Sequence, residues 1–209
     1  MKGFIYKDLC LLKNVWKTYA WIFAVFAVLT LAGVYDVIFL FALAAVLLST
    51  YPANTFAYDE LAKWDRFASS APGGRWKVVR GKYLFALLLA GIALAAELIL
   101  ALVMTVMGKA VLTEVVLFGL AGGAASLLIN AILLPCLFRF GAQKGRVISM
   151  AVAAALVAAL TACGIVMGDV LGDNDQWLTV LLAGLIAAAL IVLPISYKIS
   201  LGIYQKKEF

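Results

Sequence analysis

The feature that most constrains this chain is its series of long, unbroken apolar runs, of which LFALLLAGIALAAELILALVM, residues 84–104, is the plainest. Six such runs can be drawn, at about 18–35, 37–57, 83–107, 114–138, 147–168 and 177–197. Each is near the roughly 20 residues that a helix rising about 1.5 Å per residue needs to cross a ~30 Å hydrocarbon core. Strands of a membrane barrel would alternate apolar and polar residues, and these runs do not, so helices are expected. A chain that is 66% hydrophobic and 13% charged, with a mean hydropathy of +1.08, lies outside the range of soluble domains. The expected fold is an all-α integral membrane protein with six transmembrane helices, forming one domain over residues 1–209.

The cations set the expected orientation. With the amino terminus in the cytoplasm, the inside receives Lys2, Lys7, Lys13 and Lys17, then Lys63, Arg66, Arg75, Lys77, Arg80 and Lys82, then Arg139, Lys144 and Arg146, and finally Lys198, Lys206 and Lys207. Only Lys109 falls outside, and a five-span or seven-span arrangement would break this segregation. Topology thus accounts for the net charge of +6, and no nucleic-acid partner is needed. Both termini are expected on the cytoplasmic side of the membrane. No cleavable signal is visible, because the charged start leads into a full-length span. Cys10, Cys136 and Cys163 show no pairing or metal spacing and read as small packing residues.

Residues 1–17, MKGFIYKDLCLLKNVWK, form an expected interfacial helix. Phe4, Ile5, Leu9, Leu11, Leu12, Val15 and Trp16 share one arc and Lys2, Lys7, Lys13, Asn14 and Lys17 the other. Such a helix lies apolar side down in the headgroup region, with its lysines toward anionic lipid. Asp8 falls inside the apolar arc, where it either complements the helix start or pairs with a cytoplasmic Lys or Arg of the bundle. The external connections, Tyr35–Asp36, 108–113 and 168–177, are too short to build a folded domain. Pro52, Pro135 and Pro194 stand near the cytoplasmic ends of spans two, four and six, as bends that splay the helices or as flexing points near a gate.

Catalysis is disfavoured. The chain has no histidine, which removes the commonest general base and metal ligand together. Gly81-Lys82-Tyr83 lacks the earlier glycine and following Ser or Thr of a phosphate-binding loop. Within the bilayer, Glu97 sits in the third span, and an ionisable group at that depth is a functional candidate. Its helical neighbours Ala90, Ala93, Ala101 and Met104 make a small-residue face. On the fourth span Gly122, Ser126 and Asn130 follow at intervals of four, beside a Gly119–Gly123 pair. Glu97, Ser126 and Asn130 are therefore candidates for a substrate path. The alternative is structural, with Glu97 protonated or hydrogen-bonded to a partner such as Asn130.

One long polar passage interrupts this pattern, YDELAKWDRFASSAPGGRWKVVRGKYL, residues 58–84. A short helix over about Asp59 to Ala68 is expected, followed by a Pro-Gly-Gly break and a basic return to the membrane. This order resembles the cytoplasmic loop of type 2 ABC exporter permeases. Tyr58-Asp59-Glu60, Lys63-Trp64-Asp65-Arg66, Pro72, Arg75 and Lys82-Tyr83-Leu84 carry the resemblance, with Lys7-Asp8-Leu9 before the first span. Gly73-Gly74 departs from it, since the family usually has an apolar residue followed by Ser or Thr. Within the group the chain is most similar to permease subunits exporting phenol-soluble modulins, amphipathic peptide toxins of staphylococci.

The resemblance implies an assembly of two permeases, identical or paralogous, with two ATPase subunits in a bacterial cytoplasmic membrane. The segment 58–82 would be the coupling segment, its docking residues being Tyr58, Asp59, Glu60, Lys63, Trp64, Asp65, Arg66 and Arg75, with the carboxylates and Trp64 facing the ATPase. ATP and magnesium would bind to that partner, and this chain would carry no cofactor. The implied cargo is an amphipathic or hydrophobic peptide. The alternatives are an exporter of drugs or lipophilic compounds for self-protection, and a membrane anchor or sensor that recruits a cytosolic protein without transport.

Overall fold

The computed structural model describes residues 2–35, 37–70, 73–108, 112–171 and 176–207, and all regular structure among them is helical. The elements are α1 (Lys2–Leu31), α2 (Val37–Leu61), α3 (Trp64–Ser70), α4 (Gly74–Val106), α5 (Leu112–Leu171) and α6 (Gln176–Lys206). Three helical stretches among the described residues are long and apolar enough to cross a membrane: Gly74–Val106, Gly119–Gly145 and Ala183–Lys206. The pair Gly3–Lys13 and Val15–Leu31, bent by 56°, makes a fourth if counted as one span. Asp36, Pro72, Lys109 and residues 172–175 lie outside the described residues.

That bend in α1 separates an amino-terminal arm from a membrane-directed one, close to the boundary expected at residue 17. Part of the amino-terminal arm's apolar side packs on the bundle. Phe4 packs on the core shared by α2, α4, α5 and α6, and Leu9, Leu12 and Val15 pack on Tyr51, Phe85 and Leu89, while Trp16 is exposed. Cys10 is exposed on this arm, contrary to a packing role.

The cytoplasmic segment is also divided differently from the expected 59–68 helix. Tyr58, Asp59 and Glu60 form the last turn of α2, continued by the bond from the Ala62 amide to the Tyr58 carbonyl, 3.0 Å. Lys63 then takes a left-handed φ of 49°, which ends the ladder and redirects the chain into α3. On the far side Gly73, at φ 66°, precedes α4.

Helix α5 contains two of the expected spans. Its backbone leaves helical geometry at Gly141, with φ 82° and ψ 178°, a combination open essentially to glycine alone. Pro52, Pro135 and Pro194 lie inside α2, α5 and α6.

Helix α4 shows how the bundle is built for lipid. Its buried side carries Ala86, Leu89, Ala90, Ala93, Glu97, Ala101 and Met104, while Leu84, Leu87, Leu88, Ile92, Ile99 and Leu102 are exposed. Small residues inside let helix backbones approach, and large aliphatic ones outside suit hydrocarbon.

Candidate functional site

Two polar regions stand out, one where α1, α2 and α4 meet and one deeper between α4 and α5. In the first, Lys82 of α4 is buried. Its ammonium reaches Asp59 Oδ2 at 2.7 Å, Asp8 Oδ1 at 3.0 Å and the Thr55 hydroxyl at 2.9 Å. An ammonium has three donors, so Lys82 is fully used. Thr55 passes the chain on by donating to the Pro52 carbonyl, 2.8 Å. Lys7 adds the second cation, pairing with Asp59 and lying 3.4 Å from Asp8.

Two lysines and two aspartates cancel in formal charge, which is what allows them to be buried together. The Asp8 carboxylate in the apolar arc is thus the bundle-pairing alternative, realised with Lys82. Asp59 does not face the cytosol as expected; at 6% exposure it locks α2 to α1 and α4. The sequence reading placed Lys7 and Lys82 at the inner leaflet. The signal for their true place was Asp8 itself, a carboxylate on an apolar face, which requires a buried cation.

Other residues of the expected docking set also bond or pack against the helices. Glu60 accepts a hydrogen bond from the Ala142 amide, 2.6 Å away, and so caps the helical arm that restarts after Gly141. A Cβ at Gly141 would lie 2.5 Å from Glu60 Oε1, so the glycine also makes room for that cap. Trp64 packs edge-on against Phe4 at 6.0 Å, with the Lys7 ammonium 4.6 Å from its ring centroid. Asp65 accepts a bond from the Tyr204 hydroxyl at 2.9 Å, and Arg75 donates to the Gln205 carbonyl. Tyr204 gave no sequence signal, because a tyrosine near a helix end is ordinarily an interfacial anchor.

These contacts fasten the segment to α1, α4, α5 and α6. Exposed on the outside are Tyr58, Glu60, Lys63, Arg66 and Arg75 of the expected set, together with Leu61, 82% exposed, and Phe67, 65% exposed. Phe67 shares a helix side with Trp64 by spacing, whereas Leu61 carried no sequence signal, since one apolar residue in a polar loop says nothing alone.

Inside the bundle Glu97 is fully buried, and neither carboxyl oxygen has a hydrogen-bond partner. Ala90, Ala93, Ala101 and Met104 are buried beside it, as their spacing predicts. Across from it stand Gly119 and Gly122; a Cβ on Gly122 would lie 3.3 Å from Glu97 Oε1. The hydrogen bond expected from Asn130 does not form. Asn130 donates its amide to the Ser126 carbonyl at 2.9 Å, one turn back on its own helix, and its Oδ1 and the Ser126 hydroxyl are buried without partners. Among the described residues no group of three or more His, Cys, Asp or Glu could hold a metal ion.

The chain belongs to the ABC-2 transporter family: the family described as ABC-2 family transporter protein matches residues 3–205. It is accordingly the membrane permease of an ABC transporter, a class that works with an ATPase partner and is not generally catalytic itself. No curated protein and no solved structure matches it.

Proposed function

We propose that this permease exports amphipathic or hydrophobic peptides from a bacterial cytoplasmic membrane, driven by a separate ATPase through the segment 58–82. The six-span arrangement with both termini inside, pairing with a second permease copy, and binding of ATP and magnesium by the partner alone belong to this proposal. So does a substrate path past Glu97, Ser126 and Asn130. The carrying observation is the wiring of the segment. Asp59, Glu60, Trp64, Asp65 and Arg75 tie it to four helices, while Leu61 and Phe67 project from it beside Lys63 and Arg66. A knob held this way transmits displacement to the helices instead of absorbing it. ATP-driven closure of the ATPase pair would then shift the bundle between inward-facing and outward-facing states. The peptide class rests on the resemblance of the 58–84 segment to modulin exporters.

The test uses the exposed residues, because charge reversal at Asp59, Glu60 or Asp65 would break internal contacts. Leu61→Asp combined with Phe67→Asp is expected to abolish co-purification with the ATPase while leaving the thermal unfolding midpoint of the permease unchanged. Retained co-purification would sink the docking assignment.

A further inference from the structure

Every unpartnered polar atom around Glu97 named above is an oxygen able to accept: Oε1 and Oε2 of Glu97, Oγ of Ser126 and Oδ1 of Asn130. The amide nitrogen of Asn130 donates to the Ser126 carbonyl and to none of these four oxygens. Ser126 and Asn130 are 1% exposed and continue the α5 stripe that begins at Gly122, opposite Glu97. Buried acceptors in a low-dielectric interior are ordinarily satisfied. Here four on two facing helices are not, and Gly119 and Gly122 of α5 stand directly against Glu97 of α4.

We propose that Glu97, with Ser126 and Asn130, is the site that reads positive charge on the cargo. It would take the ammonium of a lysine or the guanidinium of an arginine when α4 and α5 part. An ammonium brings three donors and a guanidinium five, which suit the Glu97 carboxylate, with the Ser126 hydroxyl and the Asn130 amide oxygen following along the α5 stripe. A hard divalent cation instead calls for six or more oxygen ligands, and one carboxylate does not supply them. This inference rests on the transport reading, and it adds that charge on the peptide, and not amphipathicity alone, governs selection.

The test is peptide-stimulated ATP hydrolysis by the permease reconstituted with its ATPase in vesicles. Two synthetic amphipathic helical peptides are compared, identical except that lysines in one are norleucines in the other. The wild type should respond to the lysine peptide at a concentration lower by roughly tenfold, the size of one charge-assisted hydrogen bond. Glu97→Gln should erase that difference, and Glu97→Asp should keep its sign. Ser126→Ala, which removes one acceptor without adding bulk, should reduce the preference by roughly threefold and is informative even if the Glu97 variants do not fold. An unchanged preference in Glu97→Gln or in Ser126→Ala would overturn the inference with peptide transport still standing. Failure of either peptide to stimulate the wild type would remove the peptide-transport reading, and this site with it.

Discussion

The two buried polar regions of the molecule differ in one respect. Where α1, α2 and α4 meet, Lys7, Asp8, Thr55, Asp59 and Lys82 satisfy one another. Around Glu97, buried oxygens are left without partners. Pairing removes the penalty of burial and fixes a geometry, so the first region is a joint that holds α1, α2 and α4 in one arrangement. Leaving acceptors unpaired keeps the penalty and fixes nothing, which favours any conformation or ligand that supplies donors. A mechanical part and a selective part of one transporter would be expected to differ in this way.

The comparison can be broken most sharply at Lys82. Lys82→Met keeps the side-chain stem but leaves Asp8 and Asp59 sharing the one cation of Lys7. A loss of about 3–5 kcal/mol is expected, the usual result of stranding a buried charge, read as a lower unfolding midpoint in detergent. A small loss would mean that the joint is hydrated and holds little. Next is Gly141→Ala, which places a Cβ at a φ of 82° and against Glu60 Oε1. A loss of about 1–3 kcal/mol is expected, by the same measurement. The smallest effect belongs to Glu97→Gln, where no hydrogen bond exists to lose. Its midpoint should correspond to a change within about 0.5 kcal/mol, so a large destabilisation would show that Glu97 is a packing element and erase the contrast.

Much of this architecture was legible in the chain. Continuous apolar runs predicted helices, and the small-residue face around Glu97 followed from spacing alone, because helical periodicity is a local property. The oddity of Asp8 could be seen, and one of its two readings was right. What could not be read was which cation answers it, since Lys82 is 74 residues away and the distance is closed only by packing α1 against α4. The contacts that Asp59, Glu60, Trp64 and Asp65 make with the helices were missed for a related reason. A polar segment between membrane spans looks solvated unless the helix ends that supply its partners are known. Glu60 finds the Ala142 amide only because α5 breaks at Gly141 beside it.

The sequence by itself determined that this is a helical membrane chain with cations gathered toward one side, because hydropathy and charge act through the local solvent each residue prefers. Tertiary structure alone decided which polar groups are spent and which are left over. Hydrogen bonds and ion pairs between helices depend on ångström-scale approach across many residues of chain. That approach turned a polar loop into a fastened lever and left Glu97 facing glycine.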